Sequence, residues 1–301
     1  MSRSPVLGVT HSVVRAPMPA GACDSHVHVF GPIDRYPLAA DRMYTPAPAS
    51  LDDLLEAHRQ LGIERRIIVH PSVYGSDLSC SVDATLAAGA GTKLVAVIDE
   101  QTTDQQLRQL HESGTCGIRI NLHTHGRSDV REAARTILWA QDRVKAYGWH
   151  LQLFTSVDVI VRIVPELERL ELPLVLDHWG KVEAARGADD PEFKALMALL
   201  ARRPVWVKLS APERISVRPD FDDVPVLLRE FVRHAPERLI WGTDWPHTAM
   251  LRGDDARVKV QPYRPVDDGH SLNRLADWLG DAAQFREVLA GNPGRLYGFD
   301  R

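Results

Sequence analysis

Eight short apolar segments recur along the chain, each followed by a stretch with helical spacing, and this alternation constrains the fold more than any other feature. The segments are Ala22–Phe30, Arg66–His70, Lys93–Ile98, Gly117–Leu122, His150–Phe154, Pro173–His178, Val205–Leu209 and Arg238–Asp244. A helix is expected to start at Ser50, where Ser50-x-x-Asp53 forms a capping box, and to stop at Gly62. Further helices are expected around 80–89, 104–113, 129–147, 158–169, 191–201, 223–234, 271–279 and 281–290. Strands that alternate with helices form a parallel sheet covered by those helices. Eight such units favour a closed (β/α)8 TIM barrel, an α/β fold. No Gly-x-Gly-x-x-Gly follows any segment, which argues against a dinucleotide-binding sheet.

A length of 301 residues suits one such barrel with extensions. Residues 1–20 carry Pro5, Pro17 and Pro19 without periodicity and read as an N-terminal arm, leaving 21–301 for a single barrel domain. Residues 31–49, with Tyr36 and Tyr44, are too many for a plain connector and read as a functional, lid-like loop.

A net charge of −4 gives no electrostatic case for nucleic acid or an anionic membrane. No apolar run is long enough to span a bilayer, and Met1 to Ala20 lacks the apolar block of a secretory signal. Three cysteines, Cys23, Cys80 and Cys116, lack metal-type spacing and fit a reducing cytoplasm. Oligomeric state is not legible, and a homo-oligomer stays open.

In a barrel of this kind, polar residues at the carboxyl ends of strands face the mouth where chemistry occurs. Collecting them gives His26 and His28, His70 or Ser72, Arg119 and Asn121, Phe154, His178, Arg214, and Asp244 with His247. His26 and His28 are two apart on a strand, so strict alternation points them the same way. Asp244 is the natural base for a water molecule. His26, His28 and His178 can polarise a carbonyl oxygen. Arg119 and Arg214 suit a carboxylate, which the guanidinium fork matches with two hydrogen bonds. Pairing of such an arginine with a neighbour like Glu213 is the competing structural role. Arg127, in the loop after the fourth segment, offers another cation.

These residues sit in a recognisable frame. Asp24-Ser25-His26-Val27-His28-Val29-Phe30-Gly31-Pro32, Tyr44-Thr45-Pro46, Gly117-Ile118-Arg119-Ile120-Asn121, Asp177-His178-Trp179-Gly180 and Pro212-Glu213-Arg214-Ile215-Ser216 occur in that order. Trp241-Gly242-Thr243-Asp244-Trp245-Pro246-His247 and Asn292-Pro293-Gly294-Arg295-Leu296-Tyr297 follow. The set resembles the amidohydrolase superfamily, and within it the 2-pyrone-4,6-dicarboxylate lactonase branch. The resemblance implies a (β/α)8 barrel and a hydrolase that opens a carboxylated lactone in aromatic or sugar-acid catabolism. It assigns Asp244, His26, His28 and His178 to catalysis. It assigns Tyr44, Ser72, Arg119, Asn121, His125, Arg127, Phe154, Arg214 and His247 to the substrate.

Zinc enzymes of the superfamily add a histidine or a carbamylated lysine from the fourth and fifth strands. Here Gln152 and Phe154 stand on the fifth segment and the fourth has no lysine. Catalysis without a metal is therefore expected; the alternative is zinc held by His26, His28 and Asp244. Relative to the lactonase, Ser72 replaces a threonine, His125 an arginine and Phe154 a tyrosine. Fewer donors for a second carboxylate imply a different lactone, with one carboxylate, a sulfonate or a sugar-acid chain. The rival readings are a zinc-dependent amidohydrolase or decarboxylase, a sugar-lactone isomerase and, in another class, a non-catalytic sugar-acid binding protein.

Overall fold

A computed structural model describes residues 4–122, 129–248 and 254–299. Eight parallel strands form one sheet in chain order: β1 (Cys23–Val27), β2 (Arg65–Val69), β3 (Thr92–Ala96), β4 (Thr115–Asn121), β5 (His150–Phe154), β6 (Leu174–Leu176), β7 (Val205–Ser210) and β8 (Leu239–Gly242). The main helices that follow them are α1 (Leu51–Leu61), α2 (Ser79–Ala88), α3 (Asp104–Glu112), α4 (Val130–Val144), α5 (Val157–Arg162, with a further turn at Val164–Leu167), α6 (Pro191–Arg202), α7 (Val224–His234) and α8 (Asp268–Leu279). The chain is a (β/α)8 barrel, as the alternation implied. Ser50 and Asp53 cap α1 reciprocally, and Gly62 ends it in the left-handed conformation with φ 77°.

Closure depends on the seam between β8 and β1. Asp244 donates its backbone N–H to the carbonyl of His26 at 2.9 Å, and His28 donates to the carbonyl of Trp245 at 2.8 Å. The Asp24 carboxylate fastens the same seam. One oxygen accepts from the backbone N–H groups of His26 and Thr243 at 3.1 and 3.0 Å. The other accepts from the Thr243 hydroxyl at 2.6 Å and faces His58 Nε2 of α1 at 3.2 Å.

The seam also requires Gly242. A Cβ there would lie 2.8 Å from the His26 backbone nitrogen and 2.9 Å from its Cβ. Both neighbours are fixed by the strand and cannot yield. Gly242→Ala is expected to cost about 1–3 kcal/mol, the usual penalty for forcing an extra methyl into a packed interior. Urea unfolding measures it; a midpoint equal to wild type would show that the seam tolerates the methyl.

Buried apolar side chains form two layers. Ile68, Leu94, Ile118, Leu151 and Leu174 pack outward against the helices, while Ile67, Val69, Val95, Val175 and Ile240 fill the barrel interior. Cys23 belongs to the inner layer and Val27 to the outer. Four residues apart, they would share a face under strict alternation. The register explains the switch: Asp24 opposes Arg66 and Val27 opposes Ile68, so three steps on β1 match two on β2. This is a β-bulge, which re-aims side chains next to functional sites. It turns Asp24 toward α1 and His26 inward beside His28.

The 31–49 loop is pinned rather than free. Phe30 bridges Ala49, and Thr45–Pro46 pairs in parallel with Val260–Gln261. The N-terminal arm lies along α8. Ser12 hydrogen-bonds Asp267, and Arg15 donates its backbone N–H to Asn273. Gly269 admits this close approach, because a Cβ there would overlap the Ser12 carbonyl oxygen at 2.0 Å.

Candidate active site

Three imidazoles and one carboxylate converge where β1, β6 and β8 end. The Nε2 atoms of His26, His28 and His178 lie 3.6, 3.6 and 3.8 Å from Asp244 Oδ1. His26 and His28 meet edge to face with centroids 5.0 Å apart, and His178 lies 4.7 Å from His26. All four residues are buried. His178 and Asp244 have φ of 45° and 66°, a left-handed conformation that non-glycine residues adopt at a cost. The turns after β6 and β8 hold them there, so both side chains are aimed by backbone that has little freedom.

The outer nitrogens of these rings are each held from behind. His28 Nδ1 meets the Val69 carbonyl oxygen at 2.7 Å. A carbonyl only accepts, so Nδ1 carries the hydrogen. His178 Nδ1 meets the Ser210 hydroxyl at 2.8 Å. His26 Nδ1 accepts from Lys208 Nζ at 3.4 Å. Lys208, fully buried on β7, also donates to Gln152 Oε1 at 2.7 Å.

Arg214 donates to Asp244 Oδ2 from Nε at 2.9 Å and from Nη2 at 2.6 Å. The expected clamp for a substrate carboxylate thus lies against the base, and Glu213 pairs instead with Arg264 at 2.6 Å. Burial alone would raise the Asp244 carboxyl, but Arg214 and then His178 outweigh it and hold the group well below its usual range. Burial keeps His178 well below its ordinary value and, with Lys208, brings His26 down to about 3. At neutral pH the site therefore holds a carboxylate beside the neutral imidazoles of His26 and His178.

Arg119 donates to Asp177 Oδ2 at 2.9 Å and lies 4.7 Å over the Phe154 ring. Phe154 in turn stands edge-on to His178 at 5.3 Å. Arg119, Ser72, Asn121 and His70 line a cavity of about 570 Å³ that extends to Thr136 and Trp139 of α4; neither the three imidazoles nor Asp244 line it, and Arg119 is the residue that joins the two regions. Tyr44 belongs to the Asp244 side: its hydroxyl hydrogen-bonds Thr248 and feels the charges of Asp244, Arg214 and Arg119, and burial pushes it up to about 12. His70 itself is tied to the Ser81 hydroxyl and the Gly75 carbonyl, which marks it as structural. His247 Nε2 lies 3.1 Å from Asp268 Oδ2, one turn from Asp244. Burial opposes its protonation, yet Asp268 outweighs that and raises its pKa. His125 and Arg127 fall outside the described residues.

Sequence reasoning passed over Lys208, Gln152, Asp177 and Ser210 as site residues. Parity would have found three of them. Trp206-x-Lys208-x-Ser210 and His150-x-Gln152-x-Phe154 put lysine, serine and glutamine on the faces that carry inward neighbours.

The residues fit a divalent cation by spacing. His26, His28 and Asp244 bring ligand atoms within 4.8 Å of one another, and His26 Nε2 and Asp244 Oδ1 have no hydrogen-bond partner. Two imidazoles and a carboxylate are donors that zinc accepts.

A family profile described as Amidohydrolase matches residues 23–299. This chain belongs to the amidohydrolase family. A 4-sulfomuconolactone hydrolase of Hydrogenophaga intermedia is 35% identical over 298 residues, 97% of this chain and 94% of that protein. A 2-pyrone-4,6-dicarboxylate hydrolase of Comamonas testosteroni is 32% identical, covering 93% of this chain and 91% of its own length. A solved structure from Agrobacterium tumefaciens superposes with a TM-score of 0.79 at 27% identity, over 93% of this chain and 97% of that one. The amidohydrolase frame therefore runs through nearly the whole chain, from the first barrel strand to the final helix, Asn292–Tyr297.

Proposed function

We propose that this protein hydrolyses a lactone that carries an acidic substituent, with Asp244 as the base. The observation that carries the reading is the convergence of three imidazole Nε2 atoms on the one Asp244 oxygen that Arg214 leaves exposed to the site. Ester hydrolysis needs that arrangement: a carboxylate to take a proton from water, and donors around the oxygen where charge develops. Asp244 removes the proton and the hydroxide oxygen bonds to the lactone carbonyl carbon. The carbonyl oxygen gains charge beside those histidines that carry their hydrogen on Nε2. The ring C–O bond then breaks, and the proton held on Asp244 passes to the departing oxygen. The product is an open-chain acid.

Relatives named for lactone hydrolysis at 32–35% identity support the reaction class, and the substrates in their names carry a sulfonate or carboxylates. On the substrate side we assign the acidic group to Arg119, which lines the cavity together with Ser72 and Asn121 and lies over Phe154, and we add Tyr44 and His247 on the Asp244 side as further contacts. A divalent cation bound by His26, His28 and Asp244 would act as a Lewis acid on the carbonyl oxygen. The steps above call on none, and we propose a metal-independent enzyme of aromatic-compound or sugar-acid catabolism. The three cysteines are free, which favours the cytoplasm.

A panel of sulfonated, carboxylated and neutral lactones, followed by NMR, tests this. An opened acid supports hydrolysis; a lactone moved between hydroxyls would make the protein an isomerase. Arg119→Met is expected to raise KM for the anionic lactone at least about tenfold, the loss of one charge-assisted contact. The KM for a neutral lactone should change far less. Equal effects on both would remove Arg119 from anion recognition.

A further inference from the structure

Behind the catalytic cluster lies a buried lysine that the proposed chemistry has not used. Lys208 has no exposed surface, and its ammonium end points at the outer side of His26. Buried lysines are uncommon unless a partner demands them. This one has three neighbours: Gln152 Oε1 at 2.7 Å, His26 Nδ1 at 3.4 Å and Asp177 Oδ1 at 3.7 Å.

His26 Nδ1 lies between two groups of opposite demand. Lys208 Nζ is a donor. Asp177 Oδ1, at 3.3 Å, is an acceptor. An ammonium can only donate, so with Lys208 Nζ at 3.4 Å Nδ1 turns its lone pair to it, while Asp177 is paired with Arg119 through its other oxygen and lies 3.7 Å from Lys208 Nζ. An imidazole whose Nδ1 accepts must carry its hydrogen on Nε2. That nitrogen is the unpartnered one facing Asp244.

We propose that Lys208 is a positioning residue that fixes His26 with its hydrogen on Nε2, making it a donor to the carbonyl oxygen and withdrawing it from metal ligation. His28 is wired the opposite way. Its Nδ1 hydrogen is held by the Val69 carbonyl, so as a neutral ring its Nε2 presents a lone pair. The two histidines of His-x-His are thus unequal: one gives a hydrogen bond into the site and the other accepts. Asp177 is the alternative partner for His26. If Lys208 were withdrawn, Nδ1–H would turn to Asp177 Oδ1, and Nε2 would become a lone pair able to bind a cation. A carboxylate behind a metal-bound histidine is the usual orienting arrangement. Lys208 thereby selects between two chemistries that the same four residues could support.

The inference rests on the proposed hydrolysis for its consequence but not for its measurement. ¹⁵N-histidine-labelled wild-type protein, with His26 assigned by its loss in His26→Gln, is expected to show the His26 hydrogen on Nε2. In Lys208→Met the hydrogen is expected to move to Nδ1. The same variant should lose about 10²- to 10³-fold in kcat, as when one oxyanion donor is removed, with KM within about threefold. Zinc added to the variant should bind at least about tenfold more tightly than to wild type, read by calorimetry without substrate. A wild-type hydrogen on Nδ1, or an unmoved hydrogen in the variant, would overturn the assignment. The wild-type spectrum decides even if Lys208→Met does not fold. If the hydrogen moves as expected but no lactone is opened, the lysine's role stands and the hydrolysis falls.

Discussion

Asp244→Asn is expected to lower kcat about 10³-fold while leaving the lactone bound with an affinity near that of wild type. The amide keeps the size and the oxygen of the carboxylate but cannot take a proton from water, and a positioned general base contributes about 10²–10⁴ to a rate. Binding should persist because the groups assigned to the acidic substituent, Arg119 foremost, belong to β4 and the loops beside it. The variant will be less stable. Arg214 makes two hydrogen bonds to Asp244 in a buried pair, and removing one charge of such a pair costs about 3–5 kcal/mol. Thermal unfolding therefore has to accompany the kinetics, with rates taken at a temperature where the variant is folded. Single-turnover rates and calorimetric binding check the two halves. Turnover within tenfold of wild type would remove Asp244 as the base, and with it the assignment of the cluster to hydrolysis.

What could be read from the sequence divides along a physical line. Strand–helix alternation is local and repeats eight times, so the barrel and its order were legible in the apolar segments. The four converging residues were legible as well, because a barrel brings every strand's carboxyl end to one rim. Two things were not. The bulge in β1 is invisible to a reading based on alternation, since an inserted residue changes side-chain direction without changing composition. His26 and His28 arrive together at Asp244, but Asp24 is thrown outward onto the seam. The partners of each charge were also hidden. Arg214 stands just past β7 and reads equally well as a substrate clamp or a structural cation. Only the fold places it against Asp244, a residue thirty positions along the chain, instead of Glu213 beside it. Lys208 was passed over for a similar reason: a lysine inside an apolar strand looks like an exception until the barrel reveals which acceptors line its interior.

Arg214→Met should separate these two roles for the arginine. Burial pushes the Asp244 carboxyl upward, and Arg214 is the foremost group holding it down. Without the guanidinium the carboxyl titrates higher, so at pH 7 a smaller fraction is the carboxylate that takes a proton. The acid limb of kcat/KM is therefore expected to move to higher pH, with activity at pH 7 reduced and partly regained as the pH rises. Stability follows the same sign. A carboxyl held low in the folded state stabilises above its unfolded value, near 3.9, and that contribution disappears as the pH falls through the folded value. Wild type should exceed the variant by roughly 3–5 kcal/mol at neutral pH, the cost of an uncompensated buried charge, and the gap should narrow in acid. A clamp for substrate would behave otherwise. It would raise KM for the anionic lactone alone and leave the acid limb where it was. pH profiles of kcat/KM for Arg214→Met and Arg119→Met, measured together, put each arginine in one role or the other: Arg214 against the base, Arg119 against the substrate's acidic group.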